Sequence, residues 1–243
     1  MLYAVISDIH ANLEALEVVL DHIRKQNINN ILCLGDIVGY GASPNECCEL
    51  LLELNPKIIM GNHDRAAFDL EEAKYFNTYA RNAAIWTNEA LDDKYKNILR
   101  NLDEQMLVDN NLLLVHGAID DRNGYILEKY QADKNITLLK ENYPHINICF
   151  FGHSHMRQIW GPVEGTPFTT THFHLSNEDS YLINPGSVGQ PRDGDNSASY
   201  ATYDTESMEL NYHYFAYDIE KARNKILNAG LPSYLADRLL RGA

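Results

Sequence analysis

Seven residues of metal-ligating type, two aspartates, one asparagine and four histidines, recur in five short islands along this chain: Asp8-Ile9-His10, Gly35-Asp36, Gly61-Asn62-His63-Asp64, His116-Gly117 and Gly152-His153-Ser154-His155. Carboxylate and amide oxygens together with neutral imidazoles suit Mn²⁺, Fe or Zn²⁺, and the absence of cysteine from the set argues against a structural zinc. Seven donors, Asp8, His10, Asp36, Asn62, His116, His153 and His155, are the complement of two transition-metal ions sharing a bridge. His63 is left over. Two metal ions sharing a bridge can acidify a bound water and clamp the oxygens of a group under attack, which is the chemistry of hydrolysis.

Such donors work only if something gathers them. Each island follows an apolar run that reads as a strand, at residues 2–6, 31–34, 57–60, 112–115 and 148–151. An α/β sheet collects strand ends at one edge and binds ligands in the crevice outside them. Leu13, Leu16, Leu20 and Ile23 follow the first island at helical spacing, with Asn12 placed as a cap, which makes a right-handed βαβ unit with the next strand. A second helix is expected over 45–54. Residues 65–102 read as a helical, aromatic-rich cap inserted beside the site, and 106–108 with 112–115 as a hairpin. Strands are expected at 157–160, 168–175, 181–184, 199–204 and 210–217, and closing helices at 218–227 and 233–240. The whole is read as a single domain, 1–243.

Composition is that of a globular protein, with 45% hydrophobic and 22% charged residues. The formal net charge of −14 disfavours binding to a nucleic-acid backbone. An anionic substrate therefore needs local positive charge, which two cations would supply. The chain opens into a strand without a leader-like segment, and no apolar run is long enough to span a bilayer, so membrane attachment is not expected. Four cysteines without zinc-finger spacing read as reduced thiols, and the expected location is cytoplasmic. The tyrosines Tyr212, Tyr214 and Tyr217 could pack internally or against a second subunit, so a homo-oligomer stays open. His22 is expected to face solvent, and His172 and His174 to share a strand face as a solvated or packed pair rather than a stray metal site.

The ordered set D-x-H, GD, GNHD, HG and GHSH resembles the calcineurin-like metallophosphoesterases, and more closely their compact bacterial and archaeal phosphodiesterase branch, from Met1 to about Arg192. The resemblance implies a four-layer αββα sandwich of two mixed sheets flanked by helices. It puts Asp8, His10 and His155 on one metal, Asn62, His116 and His153 on the other, and Asp36 between them through its two oxygens. It makes His63 the general acid for the leaving oxygen, with Asp64 orienting it and favouring its protonated form. Residues 184–192 (NPGSVGQPR) are similar to a signature of the compact branch: a glycine-rich loop able to present backbone N–H groups, with Arg192 for phosphate. The run after Asp36 departs from the GDxxDRG pattern of the Ser/Thr protein phosphatases, so gripping phosphate would fall to Arg65, Arg81 or Arg192.

The implied activity is hydrolysis of a small phosphodiester or nucleotide by a water activated between two divalent ions, Mn²⁺ being the first expectation. A dinucleoside polyphosphate hydrolase or a phosphomonoesterase is the alternative, and a non-catalytic scaffold of the same fold, as in the retromer subunit, a more remote one. Tyr75, Tyr79 and Trp86 of the cap are candidates to stack on a base or simply to hold the cap in place.

Overall fold

Strand β1 (Leu2–Ile6) sends Ala4 and Ile6 into one hydrophobic cluster and Tyr3 and Val5 into another, because successive side chains of a strand face opposite ways. In a computed structural model describing residues 1–243, this alternation is the key to the layers. The chain continues through α1 (Leu13–Lys25), β2 (Asn30–Cys33), α2 (Pro44–Leu52), β3 (Lys57–Ile58), α3 (Asn62–Ala66), α4 (Thr78–Ala90) and α5 (Asp93–Arg100). Then come β4 (Gln105–Val108), β5 (Leu112–Val115), α6 (Lys129–Asn142), β6 (Ile148–Phe150), β7 (Arg157–Trp160), β8 (His172–His174) and β9 (Tyr181–Pro185). It closes with β10 (Ala198–Asp204), β11 (Glu209–Phe215), α7 (Ile219–Asn228) and α8 (Ser233–Asp237).

One sheet has six strands in the order β3-β2-β1-β10-β11-β8, the other five in the order β4-β5-β6-β9-β7. Both are mixed: β1, β2 and β3 run parallel, as do β5, β6 and β9, while the remaining pairs are antiparallel. Tyr3, Val5, Leu32 and Leu34 from the first sheet meet Leu112, Leu114, Ile148 and Phe150 from the second in an inter-sheet core. The outer face of the first sheet packs on α1 and α2, through Leu16, Val19, Leu20 and Leu51. The outer face of the second packs on α6, where Leu113, Cys149 and Phe151 meet Ala132 and Leu139. The αββα sandwich is therefore present, held by three apolar layers. In α1 the Asn12 side chain accepts from the Ala15 amide at 3.2 Å, as the cap position requires. Truncating a buried side chain such as Leu20 to alanine would cost about 2–5 kcal/mol.

The differences from the sequence reading are local. Helix α6 was not anticipated: its buried residues are Ala132, Asn135 and Leu139, too sparse an apolar stripe to announce itself. The expected strand over 168–175 shrinks to β8, because Thr166, Thr169 and Thr170 close a turn instead. The 65–102 segment is helical, but only its first part caps anything. Leu91 and the α5 residues Tyr95 and Leu99 belong to the core under the first sheet, whereas Ala80 and Ala83 of α4 pack on α7 and α8. His22 does not stand in solvent. Its Nδ1 lies 2.6 Å from the Tyr200 hydroxyl, and its ring packs on His213 and Phe215. His172 and His174 are exposed on one face of β8, as expected.

Candidate metal centre

The five islands meet at one edge of the two sheets. The loop after β1 carries Asp8 and His10, the loop after β2 carries Asp36, and α3 opens with Asn62 and His63. His116 follows β5, and His153 and His155 follow β6. The backbone there is strained: Asp8, His10, Asp36, His153 and His155 all have φ between 48° and 64°. A left-handed conformation at a non-glycine residue costs on the order of 1–3 kcal/mol and persists only where the surroundings impose it. Hydrogen bonds impose it here, from the amides of Asp8 to Gly35 O (3.1 Å) and of His10 to Asp36 O (2.9 Å). At Gly61 no other residue fits, since a Cβ would collide with the Asp36 carboxylate and amide.

Two groups of donors form, sharing one member. Ligating atoms of Asp8, His10, Asp36 and His155 lie within 4.8 Å of one another, and so do those of Asp36, His116 and His153. All of these residues are buried. Each histidine gives one ring nitrogen to a main-chain carbonyl: His10 Nδ1 to Val38 O (3.1 Å), His116 Nδ1 to Leu34 O (2.7 Å), His155 Nδ1 to Gln190 O (2.7 Å) and His153 Nε2 to Asn123 O (3.2 Å). A carbonyl accepts only from N–H, so in each neutral ring the other nitrogen is a bare lone pair turned inward. Lone pairs then face each other: His10 Nε2 is 3.1 Å from His155 Nε2, and His116 Nε2 is 3.0 Å from Asn62 Oδ1. Asp36 Oδ1 accepts from the His63 amide at 2.8 Å, while Oδ2 is buried without any donor, 3.6 Å from His10 Nε2 and 3.3 Å from His116 Nε2. Converging acceptors repel unless a proton or a cation stands between them, and divalent cations fit this set. Asp36 Oδ2 lies between the groups, within 4 Å of a histidine of each.

The electrostatics agree. Burial opposes ionisation of Asp36, but His116 overrides it and holds the carboxyl well below the usual range. Burial likewise pushes His116 down, and Asp36 lifts it to about 9, so without a cation a proton fills the gap beside Oδ2. Burial drives His63 down to about 4 and His153 to about 3, leaving both neutral at pH 7.

Two expected roles are overturned. Asp64 does not orient His63. Its carboxylate accepts from the amides of Asp36 (2.7 Å), Ile37 (2.8 Å), Val38 (3.3 Å) and Gly61 (3.0 Å), while His63 Nδ1 is buried without a partner. Asp64 thus pins the Asp36 loop to the start of α3. The 184–192 loop is no phosphate cradle either, because the amides that follow Ser187 are spent. Val188 donates to Ser7 O (3.0 Å), Gly189 to Asp8 O (3.0 Å), Gln190 to Ser187 Oγ (2.8 Å) and Arg192 to His155 O (3.0 Å). The loop buckles the Asp8 and His155 islands together.

Above the donors is a cavity of about 250 Å³, lined by Asp36, Asn62, His63, His153, His155 and Arg192, with Tyr40, Tyr75, Phe76, Asn77, Ala80, Asn123 and Tyr125 completing the wall. The His63 ring is held between Tyr40 and Phe76, at 4.3 and 4.6 Å between centroids, and Nδ1 rests against Gly39. Arg192 donates to Gln190 Oε1 at 3.0 Å and to the Tyr40 hydroxyl at 3.3 Å, and its Nε is buried without a partner. Of the three candidate arginines only this one reaches the cavity. Arg65 instead pairs with Glu104 (3.0 Å), Glu72 (3.7 Å) and Asp69 (3.9 Å), and Arg81 is exposed on α4 away from the lining. Tyr40, Asn123 and Tyr125 are wall residues the sequence reading missed. A glycine-flanked aromatic after the Asp36 island could have signalled Tyr40, whereas nothing in residues 118–125 signals the other two.

The family described as calcineurin-like phosphoesterase superfamily domain matches residues 1–208 of the chain. An uncharacterized protein of Methanocaldococcus jannaschii is 38% identical over 242 residues, covering 98% of this chain and 97% of that protein. The crystal structure of a metallophosphoesterase from Sphaerobacter thermophilus is 34% identical, covers 100% of both chains and superposes with a TM-score of 0.86. A hypothetical protein from Pyrococcus horikoshii, 20% identical with a TM-score of 0.83 over 100% of this chain and 98% of its own, shares the fold.

Proposed function

Because the chain belongs to the calcineurin-like phosphoesterase superfamily, we propose that it is a dinuclear-metal-dependent phosphohydrolase acting on a small phosphodiester or nucleotide. The observation that carries this reading is Asp36, whose unpartnered Oδ2 faces two groups of inward lone pairs. Asp8, His10 and His155 would hold one ion, Asn62, His116 and His153 the other, with Asp36 common to both. When bound, two divalent ions, Mn²⁺ first among them, supply positive charge against the phosphoryl oxygens and an acidified water as nucleophile. Arg192 adds a fixed positive charge at the wall, and its Nε still has a hydrogen bond to give. His63 is the proton carrier for the leaving oxygen. With Nδ1 against Gly39, Nε2 is the nitrogen left for substrate. An anionic ester beside it raises the proton affinity that burial lowers. Tyr40 and Phe76 keep the ring in place and exclude water from its faces.

Four free, buried cysteines support a reducing compartment such as the cytoplasm. No helix is long and apolar enough to cross a membrane. The test is hydrolysis of bis(p-nitrophenyl) phosphate with Mn²⁺ added, alongside a metal count and the His63→Ala variant. Two ions per chain and turnover that falls in the variant are expected. No bound metal and no turnover of any phosphoester would overturn the reading.

A further inference from the structure

Part of the cavity wall is aromatic surface that the protein itself leaves uncovered. Tyr125 lies on the His153 ring, centroids 4.1 Å apart and planes at 26°, and is still 44% exposed. Tyr75, from the 3-10 turn at Glu72–Tyr75, lines the same cavity and is 88% exposed. The other cap aromatics are already occupied: Tyr79 stacks on Tyr234 at 4.6 Å, and Trp86 packs among the residues of α7 and α8. The segments bearing the two free rings are tied to each other. Glu72 accepts from Arg122 Nη2 at 3.1 Å and from Asn123 Nδ2 at 3.0 Å, so one carboxylate joins the Tyr75 turn to the Tyr125 loop. Asn77 stands beside them in the lining. Its Oδ1 is used by the Tyr79 and Ala80 amides, both at 3.0 Å, so its NH₂ is the part left over.

Two tyrosine faces, a spare amide donor and an arginine in one cavity match a particular chemistry. Apolar ring surface held open to water gains free energy when a flat ring covers it, and stacking tolerates any planar base. The donor suits an acceptor on the edge of that ring, and Arg192 suits a phosphoryl oxygen. We infer that Tyr75 and Tyr125 form a stacking subsite for a nucleobase, so that the site prefers nucleoside phosphates to phosphoesters without a planar ring. This rests on the phosphoesterase reading and deepens it. Glu72 is the positioning residue that keeps the two tyrosine segments in register.

The experiment compares adenosine 5′-monophosphate with ribose 5-phosphate, which differ only in the base, by calorimetric titration of the Mn²⁺-loaded protein. The expected result is binding of the nucleotide about tenfold tighter, the lower range of one base–aromatic stack. That ratio falls toward one in the Tyr75→Ala and Tyr125→Ala double variant and survives in the Tyr75→Phe and Tyr125→Phe pair. Glu72→Gln lowers the ratio without removing either ring. Equal affinities in the unaltered protein, or a preference that persists without the rings, would overturn the subsite. Binding needs no bond to break, so this failure is distinct from an absence of turnover with bis(p-nitrophenyl) phosphate, which would sink the hydrolase reading instead.

Discussion

On the floor of the cavity each of the four ligand-type histidines is fixed through a main-chain carbonyl, and Asp64 alone takes four amide protons. On the rim, Tyr75 is 88% exposed and Asn77 keeps a free NH₂. Apart from the inward lone pairs, His63 Nδ1 and Arg192 Nε, the floor is satisfied, and its backbone strain is held by neighbouring loops before anything binds. The rim keeps open what the floor closes. This contrast divides the labour: a preorganised floor suits the reaction at phosphorus, which tolerates little misplacement, and an open rim suits the choice of substituent.

The sharpest way to break the comparison is at Asp36. Asp36→Asn removes the charge shared by both donor groups, and kcat should fall by about a thousandfold or more with at least one ion lost. Full turnover with two ions retained would mean that the floor is not organised around this residue. His63→Ala should cost about 10²–10⁴-fold on an alkyl ester, whose leaving oxygen needs a proton. The loss on a p-nitrophenyl ester should be much smaller, and equal losses on both would remove His63 from proton transfer. Asp64→Ala leaves four buried amides without an acceptor, at about 1–3 kcal/mol each where water cannot reach. A clear drop in melting temperature and about 10–100-fold weaker metal binding should follow. On the outer rim, Arg81→Ala should change activity less than about twofold and stability by less than about 0.5 kcal/mol. A large effect there would erase the distinction between floor and rim.

The smallest effect concerns the clamp behind the rim. Burial opposes ionisation of Glu14 on α1, but Lys225 (2.6 Å) and Lys221 (3.1 Å) of α7 overcome it and hold its pKa below the usual value. A depressed folded pKa stabilises above the unfolded value and is lost as pH falls through the folded one. Glu14→Gln should therefore lower stability at pH 7 by about 1 kcal/mol or less because both lysines are partly exposed, seen as a lower melting temperature, with the deficit shrinking as pH falls through the range where Glu14 takes up its proton. A deficit that grows in acid would contradict the pairing.

The clustering was legible because ligand chemistry restricts residue types and strand ends restrict positions, so Asp8, His10, Asp36, Asn62, His116, His153 and His155 could be picked out as candidates and do come together. Strands β1 and β5 were legible as well, since burial on both faces writes itself as a continuous apolar run. Asp64 and Arg65 misled for one reason. Both lie within two residues of His63, yet side chains one or two positions apart on a helix do not face each other. One turned to the backbone of the Asp36 loop and the other to Glu72 and Glu104. Helix α6 and the wall residues Asn123 and Tyr125 left no pattern, because a wall position asks only for a side chain of suitable shape.

From its residues alone the chain committed to the phosphoesterase family, a candidate set of metal-binding residues and most of its strand-helix order, since each depends on residue identity and short-range spacing. Which arginine lines the cavity, which tyrosines stay uncovered, and that Asp36 Oδ2 lies between the two groups depend on contacts across as many as a hundred residues or more. Those contacts are set by how two sheets pack, so only the folded molecule could decide them.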